Sequence, residues 1–133
     1  TISASDQRLK HSIFPCDLGL SFVNSLTPKK FKMNEGDARI TGVDNSPNYM
    51  PTYEKIIGSR YHYGLIAQDV KQVLDDNNID TVDFAGWCLA DKDDTTSDQL
   101  LRYEEFIAPM MKAIQELSTK VNELESRIQQ LES

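Results

Sequence analysis

The chain has 133 residues, with 14 basic against 21 acidic side chains and a net charge of −7. That length holds one small domain with a modest core plus an appendage, and the negative charge disfavours sequence-independent binding to nucleic-acid phosphates or anionic lipid, so neither nucleic acid nor membrane is expected as a partner. Cys16 and Cys88 are too few for a disulfide scaffold and read as idle or buried thiols suited to a reducing compartment, while the absence of a long apolar run and of a basic-then-apolar leader predicts neither a membrane span nor a secretory signal.

The first motif is SDQRLK, Ser5 to Lys10, which pairs a hydroxyl with an amine. A serine becomes a useful nucleophile only when something takes its proton, and a neutral lysine can do this. Bringing a lysine from its ordinary pKa of about 10.4 to about 7 or 8 costs roughly 3 to 5 kcal/mol, through burial or a cationic neighbour. Arg8 would push in that direction and Asp6 against it. Positions i and i+5 share a face in neither a helix nor a strand, so only a turn can join Ser5 to Lys10. On pattern alone, a surface loop with an ordinary serine is the plainer reading.

Next, LGLSFVNSLTPKKFKM predicts a short helix stopped by Thr27 and Pro28, then a strand through Phe31 and Met33. Residues 34–60, with Pro47, Pro51, Gly36, Gly42 and Gly58 and little periodicity, read as an exposed excursion. YHYGLIAQDVKQVLDD (61–76) reads as a strand or turn feeding a helix that ends near Asp76, with Ile66, Val70, Val73 and Leu74 on one face. TVDFAGWCLA (81–90), a polar tip, and then LLRY predict a hairpin, with Trp87 and Phe84 in the core.

Residues 75–98 carry eight aspartates and one lysine, which raises the question of a calcium loop. Counted from Asp91, the EF-hand pattern needs Gly at 96 and Glu at 102, where this chain has Thr96 and Arg102. A solvated turn is the expectation. His11 and His62 are the only histidines and join no Cys/His cluster, so no metal site is expected.

The C-terminal region carries the strongest pattern. Ile107, Met110, Ile114, Leu117, Val121, Leu124, Ile128 and Leu131 form an unbroken a/d repeat over four heptads, with Pro109 in the first turn where it is tolerated. A helix from about Tyr103 to the end follows, too long to cover a body this small, so self-association is expected over a helix lying on its own domain. Lys120 and Arg127 at g, with Glu125 and Glu132 at e, favour a parallel arrangement. Ile or Val at a with Leu at d leans towards a dimer.

SDQRLK, GLSFVNSLTPKKFKM, YGLIAQDVKQVL and LRYEEFIAPMMKAIQEL, in this order and spacing, resemble a known family. It comprises the C-terminal intramolecular chaperone domains of phage tail spikes and fibres, the endosialidase type, also found on some trimeric membrane-bound transcription factors. Asp69 stands where Glu is commoner, and residues 34–60 are of a variable kind. The resemblance implies self-cleavage by a Ser/Lys dyad at Ala4-Ser5, with Ser5 as nucleophile and Lys10 as base. Asp6 would orient the turn or pair with Lys10. It also implies a homotrimer, against the dimer lean of the heptads, joined through the a/d residues named above.

The expected architecture is α+β. The resemblance implies that residues 1–4 would be the remnant of an upstream fibre or spike segment of the same polypeptide and that 5–102 would form a small globular chaperone domain of short strands and helices, with 34–60 as a candidate arm. Residues 103–133 form the helix of a parallel trimeric coiled coil. The domain would register the upstream segment, then release itself in the host cell cytoplasm during virion assembly and be absent from the mature particle. No cofactor is expected. The alternative is a permanently attached trimerisation or adhesion tip without cleavage.

Overall fold

The structure is a computed structural model that describes residues 2–34, 38–41, 52–55 and 58–133, the two short central stretches as backbone. It has three α-helices, α1 (Leu20–Ser25), α2 (Ala67–Asp76) and α3 (Ile107–Glu132), among the described residues. The strands are β1 (Lys29–Phe31), β2 (Ala38–Thr41), β3 (Thr52–Lys55), β4 (His62–Gly64), β5 (Trp87–Leu89) and β6 (Gln99–Leu101). The chain is α+β with a long C-terminal helix, and among the described residues no helix is long and apolar enough to cross a membrane.

α1 follows Gly19, where a side chain would run into Glu116 of α3, and it ends at Leu26, which turns extended ahead of Thr27 and Pro28. Its one fully buried side chain, Phe22, meets Phe84 edge-on at 5.5 Å between ring centroids and Phe106 at 6.4 Å. Phe84 and Phe106 also meet edge-on, at 5.2 Å, the arrangement that ring quadrupoles favour. Around these three rings pack Val70 and Leu74, one turn apart on α2, and Trp87 of β5.

α2 begins with Asp69 in its first turn, where a carboxylate suits the helix dipole, and Lys29 Nζ reaches Asp69 Oδ2 at 2.7 Å from β1. Its end is a Schellman-type turn with Asn78 left-handed (φ 55°): the Ile79 N–H donates to the Leu74 carbonyl at 2.9 Å and the Asn78 N–H to that of Asp75 at 3.1 Å.

Among the described residues three antiparallel pairs form. β1 pairs with β4, Lys29 opposite Gly64 and Phe31 opposite His62, so the strand predicted to run to Met33 ends two residues earlier. β2 pairs with β3, Ala38 opposite Lys55 and Thr41 opposite Thr52. Both ladders keep one hairpin register, since 32–37 and 56–61 separate them by equal lengths on the two sides. The excursion expected over 34–60 therefore contains a two-stranded ribbon; residues 35–37, 42–51, 56 and 57 lie outside the described residues.

β5 pairs with β6, Trp87 opposite Leu101, as the hairpin reading expected. The apolar run before it differs from that reading. Thr81–Asp83 is a 3₁₀ turn, because the Asp80 carboxylate accepts the Val82 N–H at 3.0 Å and bends the chain, swinging Phe84 into the core. Gly86 is needed there, since any side chain would meet the Phe84 ring.

The polar tip is built from its own aspartates. Asp91 and Asp94 accept the backbone N–H groups of Asp93 (3.0 Å) and Thr96 (2.9 Å), and the hydroxyl and N–H of Thr96 hold the Asp94 carboxyl below the usual carboxylate range. Among the described residues no cluster of ligands could hold a metal ion.

Candidate active site

The segment from Ile2 to Pro15 lies exposed on the single chain, and its shape comes from one turn. The Asp6 carboxylate caps a 3₁₀ turn over Gln7–Leu9 by accepting the Arg8 N–H at 2.8 Å. The Leu9 N–H then donates to the Asp6 carbonyl at 3.0 Å and the Lys10 N–H to the Gln7 carbonyl at 3.1 Å. This reversal does what periodicity alone cannot. It folds position i+5 back on position i, and Lys10 Nζ donates to Ser5 Oγ at 2.6 Å.

At that separation an ammonium donates to the hydroxyl, and an uncharged amine accepts the hydroxyl proton instead. Ser5 Oγ belongs to the residue whose amide nitrogen forms the Ala4-Ser5 bond, so the candidate nucleophile and the carbonyl carbon it would attack are on adjacent residues. The Asp6 carboxylate is part of the turn, and its ion-pair partner is Arg8: Arg8 Nη2 donates to Asp6 Oδ2 at 2.8 Å and Nε to Oδ1 at 3.1 Å. The Arg8 guanidinium, and then the Arg8 backbone N–H, hold the Asp6 carboxyl below the usual carboxylate range, and Asp6 raises Arg8 in return. Sequence reasoning gave Arg8 only a diffuse electrostatic part; its signal was the Asp-x-Arg spacing, which suits an Asx turn.

The predicted association residues lie on one face of α3. Ile107, Met110, Ile114, Leu117, Val121, Leu124, Ile128 and Leu131 are all at least 46% exposed. The body packs on a different face, through Pro109 and Ala113 with Lys112 and Glu116 at its edge, roughly a third of a turn away. The domain therefore leaves the apolar seam uncovered. Beside its start lies a groove of ≈ 330 Å³ lined by Val23, Leu26, Tyr63, Leu65, Tyr103 and Met110.

Two of the motifs meet at this groove. Tyr103 Oη accepts the Leu65 N–H at 3.1 Å and donates to the Leu65 carbonyl at 3.3 Å. A Cβ on Gly64 would collide with that hydroxyl, so the YG of the central motif and the Tyr of LRYEEF are one contact.

The family profile described as chaperone of endosialidase matches residues 5–79, more than half of the chain. The chain belongs to the chaperone of endosialidase family. The match starts at Ser5, takes in the turn, α1, β1 to β4 and α2, and stops at Ile79, ahead of the β5–β6 hairpin and α3. The family's description and its peptidase designation are consistent with an intramolecular chaperone and a self-cleaving, peptidase-type role. No curated protein and no solved structure gives a significant match to the chain.

Proposed function

We propose that this chaperone of endosialidase domain trimerises through α3, registers an upstream fibre or spike segment of its own polypeptide, and then cuts itself free between Ala4 and Ser5. The observation that carries the cleavage is the 2.6 Å hydrogen bond from Lys10 to Ser5 on a turn that directly follows the scissile bond.

The chemistry follows from those atoms. Uncharged Lys10 takes the Ser5 hydroxyl proton as Oγ attacks the Ala4 carbonyl carbon. The tetrahedral intermediate collapses with departure of the Ser5 nitrogen, which receives the proton from Lys10, and an ester joins Ala4 to Ser5 Oγ. Water hydrolyses the ester, leaving a carboxylate on Ala4 and restoring the Ser5 hydroxyl. Both side chains are exposed to water in the single chain, and it is burial that disfavours the charged form of an amine. Assembly that covers the turn would remove that water, so folding and association precede cutting.

The exposed seam of α3 supports the association. Fully burying a Leu or Val side chain contributes about 1.5 to 3 kcal/mol, against about 0.2 to 1 kcal/mol for a surface ion pair. Apolar burial thus supplies the stability, and the pairs Lys120 with Glu125 and Arg127 with Glu132 set the parallel direction. A fibre of interwound chains has few local contacts and nucleates slowly. Joining three chain ends raises their effective concentration to roughly millimolar. The β2–β3 ribbon is a candidate arm towards the nascent segment, and the expected setting is the host cell cytoplasm during virion assembly, with the domain absent from the mature particle.

Intact-mass measurement on the full-length protein tests this. A wild-type product beginning at Ser5, lost in Ser5→Ala and Lys10→Ala while both variants still assemble, is the expected result. Normal processing in either variant removes the dyad, and an uncut wild-type trimer makes the domain a permanent trimerisation or adhesion tip.

A further inference from the structure

Asp6 is adjacent in sequence to the nucleophile and four residues from the base, yet its carboxylate does not pair with Lys10. The fork of Arg8 occupies both of its oxygens, Nη2 on Oδ2 at 2.8 Å and Nε on Oδ1 at 3.1 Å, while the Arg8 N–H also donates to Oδ1 at 2.8 Å. We propose that Arg8 is a positioning residue for self-cleavage: it detains the Asp6 carboxylate in the cap of the turn, keeps that negative charge off Lys10, and so leaves Lys10 aimed at Ser5.

The physical need is specific to a lysine base. A carboxylate beside an amine favours its ammonium form, and an ammonium has no lone pair with which to take the serine proton. Asp6 cannot simply be absent, because its side chain closes the turn that joins the dyad. The turn therefore needs an acceptor at position 6 whose charge is engaged elsewhere, and a guanidinium presents paired donors that match two carboxylate oxygens. The other titratable side chain beside Lys10 is His11, whose Nδ1 lies 3.1 Å from Ser12 Oγ. Among the described residues no charged side chain from another element is hydrogen-bonded or ion-paired to Lys10.

This assignment rests on the Ser5–Lys10 reading, and one experiment separates the two. The rate of self-cleavage of the full-length protein is followed against pH for wild type, Arg8→Gln, Asp6→Asn and the double variant. Arg8 is 88% exposed, so its replacement leaves the core untouched. In Arg8→Gln the pH of half-maximal processing is expected to rise by about one unit, as a carboxylate released near an amine would cause. Adding Asp6→Asn should return the profile most of the way to wild type, because Asn still caps the turn but carries no charge. Arg8→Lys, a single point donor, should fall between wild type and Arg8→Gln. An equal loss of rate at every pH in Arg8→Gln, not relieved by Asp6→Asn, would mean that Arg8 merely braces the turn and would overturn the proposal. So would an unmoved profile. If Ser5→Ala is still processed, the dyad itself has failed; if Ser5→Ala is blocked and Arg8→Gln keeps the wild-type profile, only the role of Arg8 has failed.

Discussion

The body around Phe22, Phe84 and Phe106 and the segment around Ser5 are held by different forces. In the body, Val70 and Leu74 are almost fully enclosed and the three rings interlock, so its shape is fixed by burial within one chain. From Ile2 to Pro15 no side chain is buried, and shape comes from a few hydrogen bonds within a single turn. The seam of α3 resembles the second region: apolar, regular and uncovered. A single chain thus completes its own core but leaves the turn around Ser5 and the apolar face of α3 exposed.

The sharpest way to break this contrast is on α3. Leu117→Asp with Val121→Asp places charges in the seam, on a face the body does not use, and is expected to convert assemblies to monomers while leaving the near-ultraviolet circular dichroism of the body unchanged. Loss of the body signal as well would mean that the two regions are not separable. Leu74→Ala addresses the other side. It should cost about 2 to 5 kcal/mol in denaturant unfolding, through lost burial and a cavity, without altering the turn around Ser5.

Gly64→Ala should cost about 1 to 3 kcal/mol by pushing Tyr103 off the Leu65 backbone, and Tyr103→Phe about 1 kcal/mol by removing the hydroxyl, both read from chemical denaturation. If Tyr103→Phe is as stable as wild type, that clamp is idle. The smallest effect belongs to Asp6. Its carboxyl is depressed in the folded turn, so its contribution is present above the ordinary carboxylate pKa of about 3.9 and is lost as pH falls through the lower folded value. Proton NMR of the Arg8 amide should show the turn intact at pH 6 and loosening only below about pH 4; loosening near pH 6 would contradict the Arg8–Asp6 pairing.

Much of the frame was legible in the sequence because periodicity reports burial. Val70 and Leu74 on α2 and the heptad face of α3 were visible from spacing alone, as was the stop of α1 at Thr27 and Pro28. Four features were not. The 3₁₀ turn at Thr81–Asp83 hides inside an apolar run, since a single Asp80 cap outweighs the strand propensity of its neighbours. Gly64 and Tyr103 meet across 39 positions, and no local window contains both. The Ser5–Lys10 contact depends on a turn, and the Asp6 cap that makes it is a common feature of ordinary loops as well. The register joining β1–β4 to β2–β3 was invisible for a related reason: in so short a ribbon, side-chain alternation gives little signal.

The most direct test of the central claim is the solution mass of the chain at micromolar concentration by sedimentation equilibrium. Three times the chain mass, falling to one in the α3 double variant, is the predicted outcome; a single-chain mass for the wild type would contradict an assembly that registers the upstream segment and covers Ser5 and Lys10.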